Sequence, residues 1–415
     1  MMSVKSSFRN SPPVQLAASM QDARNYTLTL FKLFESSGLD DPSRVPYLAT
    51  INPPLWELGH FVWFAEWFVL RDAPSGSLAM AQRPSLLPDG DRWFDSSRVA
   101  HATRWQLDLP GTSIIKKYAD EILNRILEKL AKLANDAAAL YPYRLALAHE
   151  DMHGEAFVYT LQTLGLAAPP QLAAATLSLE PQLAMHFEGG TFQMGSPPAE
   201  EFIFDNEKWA HQITLPAFSI DSTLVSNAQY QNFMRDGGYE KLQFWDDAGR
   251  LWLASHQRTA PRYWQREDRL WLQQRFGKLI EPADAEPVRH ISLHEAQAYC
   301  RWAGRRLPGE AEWEYAASSG NPDFRWGELW EWTASAFEPY TGFSADAYKD
   351  YSAPWFGTHQ VLRGASFTTQ ARIRSPRYRN FYTPERDDMF AGFRTCACEF
   401  TLNQAASKSI HKSSM

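Results

Sequence analysis

Apolar positions along this chain recur every three to four residues up to about residue 185, then break into short alternating runs divided by turn residues. Four stretches of the first part predict long helices. Residues 14–37, VQLAASMQDARNYTLTLFKLFESS, carry an amphipathic stripe. The run INPPLWELGHFVWFAEWFVLR, residues 51–71, puts Pro53 and Pro54 where a first helical turn tolerates proline, with Asn52 as the N-cap. Residues 112–139 predict a helix with charged outer positions, and a fourth helix opens after Pro142 and stops at Gly165. Four helices with apolar stripes predict a bundle over residues 14–166.

Residues 167–184 are rich in Ala and Pro and predict a linker. Beyond it, FEGGTFQMGS, HQITLPAFSID, VLRGASF and GFRTCACEF predict short strands. Helical signal persists in VSNAQYQNFMRDGG and SLHEAQAYCRWAGRRLPGEAEWEYAAS, so residues 185–402 predict a mixed α+β domain. The polar tail, residues 403–415, is expected to fray.

Composition narrows the class of protein. A chain of 415 residues has room for two cores, and 44% hydrophobic with 21% charged residues is ordinary for a globular protein. A formal charge of −7 argues against nucleic acid as a partner. No apolar window reaches the length of a membrane span, and the first residues lack the apolar core of a secretory signal. Three cysteines cannot build a disulfide framework, and they suit the reducing cytoplasm. The unusual term is aromatic content, 14% with 16 tryptophans, which supplies packing and material for π-lined pockets.

The candidate chemistry lies in HEDMHGE, residues 149–155. His149 and His153 are four apart, so on a helix both imidazoles leave one face. The same letters match the zinc-peptidase pattern, in which Glu150 is a general base, and they also suit two histidines packed and hydrogen-bonded in a bundle. His60 shifts the balance, because it sits among Trp56, Trp63, Phe64 and Trp67 and a buried polar ring needs a partner. Three histidines without an obligatory carboxylate leave coordination positions open, which suits Fe(II) and O2 chemistry.

The second part carries FEGGTFQMGS, PAFSIDSTLVSNAQYQNFMRDGGY, ISLHEAQAYCRWAGRRLPGEAEWEYAA, GELWEWT, VLRGASF and AGFR in that order. Together they resemble the formylglycine-generating (sulfatase-modifying factor) fold, a C-type-lectin-like α+β domain. The first part resembles a DinB-like four-helix bundle. This pairing, with PPLWELGH and HEDMH, is similar to the ergothioneine-type sulfoxide synthases, and the likeness covers residues 14–402. It implies a non-haem Fe(II) enzyme that uses O2 to join a donor to the imidazole C2 of hercynine (Nα-trimethylhistidine). It further implies His60, His149 and His153 as iron ligands, and Tyr348 or Tyr351 as a tyrosine that steers O2 chemistry. The segment RNFYTPER, with Asn380, Phe381, Tyr382 and Arg386, matches the hercynine pocket, where an aromatic cage suits a trimethylammonium group. Trp332 is expected in the core, with the cage as its other place.

Departures from the family pattern bear on the donor. Met152 stands where many sulfoxide synthases have glutamine, Tyr382 replaces an aspartate, and Ser97 and Arg98 replace two tyrosines in FDSSR. These changes count against γ-glutamylcysteine and leave free cysteine open. With RVPYLATINPPLWELGHFVWFAEWFVLRD they resemble the selenoneine synthase branch, whose donor is a selenosugar (1-seleno-N-acetylglucosamine) and which releases selenoneine by C–Se cleavage. The alternative is a hercynine sulfoxide synthase using a thiol, cysteine or γ-glutamylcysteine. Three rivals remain: a copper-dependent formylglycine oxidase, for which Cys396 and Cys398 are too close and Cys300 reads as buried; a metal-free binding module; and the zinc peptidase.

Overall fold

The computed structural model describes residues 8–72, 81–175, 177, 181–198 and 201–398; the expected tail at 403–415 lies outside these. Helix α1 (Pro13–Ser36) starts with proline at its first position and buries Leu16, Met20, Ala23, Leu30, Phe31 and Phe34 along one face. Helix α2 (Pro54–Ala65) buries all twelve of its residues, as a helix apolar on every side must, and runs on into a π-helical turn at Glu66–Leu70. A short α3 (Gly90–Phe94) follows, then α4 (Thr112–Leu130) and the long α5 (Ala137–Thr163). Helix α5 packs on α1 and α2, and α4 closes the other side of α2.

Three helix boundaries differ from expectation. The α2 N-cap is Pro53, which offers no side-chain cap; the Asn52 side-chain amide oxygen Oδ1 instead accepts from Arg104 at 2.6 Å. The third helix ends at Leu130, short of residue 139, because Asp136 caps the next one by accepting the Ala139 N–H at 2.7 Å. Helix α5 therefore begins before Pro142 and contains it, at the cost of one ladder bond. Its other end is as predicted, with Gly165 left-handed at φ +67°.

In the linker region a single turn, α6 (Pro170–Ala173), precedes the first strand. Strands β1 (Ala184–Phe187), β2 (Gly190–Met194), β3 (His211–Leu215) and β4 (Phe218–Asp221) lead to α7 (Asn227–Arg235) and α8 (Asp247–His256). A meander of β5 (Trp264–Glu267), β6 (Leu270–Arg275) and β7 (Lys278–Ile280) follows, then α9 (Leu293–Ala303), β8 (Arg305–Arg306) and α10 (Glu310–Ser318). The chain closes with β9 (Trp330–Ala336), β10 (Gln360–Gly364), β11 (Asn380–Tyr382), β12 (Ala391–Gly392) and β13 (Cys396–Ala397). The two larger sheets run β1-β4-β13-β8 and β11-β10-β9-β12, antiparallel except where β12 lies parallel to β9. Serine caps α7 and α9 through full capping boxes, Ser226 with Gln229 and Ser292 with Glu295.

The mixed α+β part thus follows the helical part, as expected. Its interior is built partly on charge: Arg363, Arg379 and Arg394 are fully buried and paired with Glu314, Glu310 and Glu331. Trp332 is core, wholly buried with its indole N–H on the Ile291 carbonyl at 2.7 Å. The β5–β7 meander was not predicted. Its β6–β7 turn puts Phe276 and Gly277 at φ +47° and +76°, and a Cβ on Gly277 would stand 2.3 Å from the Gly165 carbonyl oxygen. The end of α5 seats there, with Gln162 bonding the Gln274 carbonyl and the Phe276 N–H at 2.9 and 2.7 Å. Among the described residues no helix is long and apolar enough to cross a membrane.

Candidate metal centre

Helix α2 brings His60 against His149 and His153 of α5, and one ligand atom from each lies within 4.8 Å of the others. The three ring centroids are 4.5 to 5.2 Å apart. Two of the rings are oriented by what their Nδ1–H groups reach. His60 donates to the Phe94 carbonyl at 2.8 Å, and His153 donates to the Glu57 carboxylate at 2.7 Å, so each keeps its Nε2 lone pair free. The His149 Nδ1 is buried with no hydrogen-bond partner among the described residues, and that ring stacks on Phe64 at 3.6 Å. Burial first, and the neighbouring imidazoles second, hold His60 and His149 well below the usual imidazole range. They are neutral at pH 7, the form that binds metal. Among the described residues no other group of His, Cys, Asp and Glu converges in this way.

A cavity of about 130 Å³ opens beside His60. Trp63, Phe64, Trp67 and Phe68 make its apolar wall, while Asp95, Ser96, Ser97, Lys349 and Asp350 make a polar mouth. Tyr348 lies between them, its ring 5.8 Å from His149 and 4.8 Å from Phe64, and burial keeps its phenol protonated far above neutral pH. Tyr351 is engaged elsewhere: it stacks on Phe204 and its hydroxyl bonds Tyr378, which in turn donates to the Met152 sulfur at 3.2 Å.

The remaining predicted residues separate into two places. Ser97 reaches the cavity mouth with its hydroxyl on Asp95 at 2.6 Å, whereas Arg98 is 64% exposed beside the same carboxylate and is not brought inside. Asn380 accepts the Phe381 N–H at 2.9 Å and bonds the Tyr382 phenol, and Phe381 stacks on Phe337 at 4.1 Å. Arg386 lies over the Tyr382 ring at 4.9 Å, pairs with Asp388, and reaches the Thr50 carbonyl ahead of α2. Sequence reading missed Glu57, although an acid one turn from His60 in an otherwise apolar helix is a signal in itself. It missed Tyr378 as well, which no local pattern marks.

The other side chains of HEDMHGE are spoken for. Glu150 faces Arg24 within the bundle at 2.8 and 3.1 Å and also accepts from Thr27, so it is not free to serve as the base of a zinc peptidase. Asp151 takes two bonds from Arg372 of the second part, both 2.7 Å; burial nonetheless pushes its carboxyl up to about 6. Glu155 accepts from Trp330, Ser366 and Thr369, each at 2.7 Å. Cys300 and Cys396 are buried, with burial raising both thiols, and Cys398 is exposed on the Gly304 carbonyl, which leaves no reactive pair for copper.

The sulfatase-modifying factor enzyme 1-like domain family matches residues 174–329 and 323–398. A hercynine oxygenase of Mycobacterium tuberculosis is 32% identical, over 92% of this chain and 98% of that protein. One from Mycolicibacterium thermoresistibile is 30% identical, over 92% and 94% of the two chains. A formylglycine-generating enzyme of Streptomyces coelicolor is 28% identical over 58% of this chain and 96% of its own length.

Proposed function

The chain belongs to the hercynine oxygenase family, the ergothioneine-type sulfoxide synthases, and on that premise we propose that it joins the imidazole C2 of hercynine to a chalcogen donor, using O2 at an iron(II) held by His60, His149 and His153. The observation that carries this reading is the set of three histidines, two buried and one half-buried, converging beside a cavity that Tyr348 and Ser97 share. Iron(II), when bound, supplies open coordination positions where the reactants are gathered and dioxygen is put to use.

The protein's own groups do the rest. Trp63, Phe64, Trp67 and Phe68 keep water from the reacting groups. Tyr348, held protonated, presents a hydroxyl proton at the cavity and steers the reaction toward coupling. Phe381 and Tyr382 offer aromatic faces to the trimethylammonium group, and Asn380 and Arg386 suit its carboxylate. Residues 14–166 act as a DinB-like bundle carrying the ligands, 185–402 as the formylglycine-generating-enzyme-like unit, and 167–184 as their connection. Three unpaired thiols accord with a cytoplasmic enzyme.

For the donor we favour a selenosugar, as in the selenoneine synthase branch. The cavity mouth carries Asp95 and Asp350 against Lys349, with Arg98 turned outward. Carboxylates at a mouth repel a carboxylate-bearing thiol and accept hydrogen bonds from sugar hydroxyls. The test is anaerobic reconstitution with Fe(II), followed by hercynine, O2 and one donor at a time, with mass spectrometry of the adduct. A selenosugar adduct is expected; reaction with cysteine or γ-glutamylcysteine alone would overturn the donor assignment. His60→Ala should lose both iron and turnover, and retained turnover refutes the triad.

A further inference from the structure

The three histidines are backed unequally. His60 leans on a neutral acceptor, the Phe94 carbonyl; His149 has no hydrogen-bond partner at Nδ1 among the described residues; His153 alone leans on a carboxylate. That carboxylate belongs to Glu57, which is 1% exposed on α2, one turn before His60. The most exposed of the three imidazoles, on α5, is thus held from behind by a buried acid of α2.

Three other buried carboxylates described above have a guanidinium or several donors against them: Glu150 has Arg24, Glu331 has Arg394, and Glu155 has three donors from the second part. Glu57 differs. Its bond to His153 is 2.7 Å, the length of a charge-assisted contact. The cation within its field, Arg104, is committed to Asn52 and lies 3.9 Å over the Trp56 ring. A desolvated acid with this surrounding is costly unless positive charge arrives next to the imidazole it holds.

We propose that Glu57 is a positioning residue for the metal centre: it fixes His153 as the Nδ1–H tautomer, turns Nε2 into the site, and places a negative charge directly behind that ligand. The inference rests on the metal reading above. It makes His153 the strongest electron donor of the three ligands, His60 the intermediate and His149 the weakest.

The test is metal affinity, measured anaerobically by competition of Fe(II), or of Co(II) as a spectroscopic stand-in, against a chelator. Glu57→Gln keeps shape and a hydrogen-bond acceptor but removes the charge, and should weaken binding about 10- to 100-fold. Glu57→Asp keeps the charge but withdraws it from His153, and should weaken binding within the same range; it is measured if the glutamine variant fails to fold. In a His153→Ala background Glu57→Gln should cost much less, because the bond through which it acts is gone. The thermal stabilisation that metal confers should shrink in Glu57→Gln, whereas a merely structural role would shift metal-free and metal-loaded melting together. Equal affinity in wild type and Glu57→Gln overturns the inference and leaves the metal reading standing. A wild-type protein that binds no divalent metal overturns the metal reading itself.

Discussion

Replacing Arg372 with methionine should be among the most damaging single changes in the protein, although the residue touches none of the three histidines. Its guanidinium makes two 2.7 Å bonds to Asp151 and one 2.6 Å bond to Asp22. The Asp22 arm ends on a side chain that is 66% exposed, so it contributes at most about 1 kcal/mol. The Asp151 arm is different, because that carboxylate is fully enclosed and, without Arg372, would be stranded between the two halves. Stranding a buried charge costs about 3–5 kcal/mol. The pair is removable only together: Asp151→Leu with Arg372→Met should return to within about 1–2 kcal/mol of wild type, since well-packed apolar groups replace buried ion pairs at little cost. Urea unfolding of the metal-free protein, followed by tryptophan fluorescence, measures all four corners of the cycle. A loss under about 1 kcal/mol for Arg372→Met, or a double variant no better than the single one, would refute the docking of α5 as described.

Tyr348→Phe should lower adduct formed per O2 consumed about 100-fold, the scale of a lost proton donor, while Tyr351→Phe changes it little because that hydroxyl is already given to Tyr378. Product analysis by mass spectrometry decides between them, and the reverse order would reassign the steering role. Glu150→Gln should cost about 3–5 kcal/mol by orphaning Arg24, yet leave metal content unchanged; metal analysis beside a denaturation curve checks both. Glu295, pushed up to about 7 by burial, takes a proton in the folded state over a range where the unfolded chain, near 4.5, does not. Its contribution is therefore fully present below 4.5 and is lost as pH rises through 7, with a slope of up to about 1.4 kcal/mol per pH unit. Glu295→Gln should flatten that slope in denaturation midpoints taken from pH 5 to 8.

What could be read from the letters was whatever depends on local spacing. The pairing of His149 with His153 follows from a four-residue step on a helix, and α2 announces its burial by having no polar face. Asn52 misled because its side chain is claimed by Arg104, 52 residues away, a contact no local rule contains. The break between α4 and α5 hides in an alanine-rich run where only Asp136 marks the new start. Arg98 reads as a donor-side residue because FDSSR matches a family segment that has two tyrosines there. The turn that Asp95 makes with Ser97 turns the arginine outward. Glu57 was overlooked because an acid reads as surface until its partner, 96 residues on, is known.

The segment HEDMHGE limits how the two parts can be exchanged. Its side chains address four different places: the metal site, Arg24 in the bundle, Arg372 and Tyr378 across the divide, and the Trp330–Ser366–Thr369 group. Even Gly154 is hemmed in, since a Cβ there would come within 3.3 Å of the Tyr26 ring. A helical part and an α+β part joined through such a segment are interlocked. Exchanging either for that of a relative should fail to restore a stable protein unless the matching half travels with it.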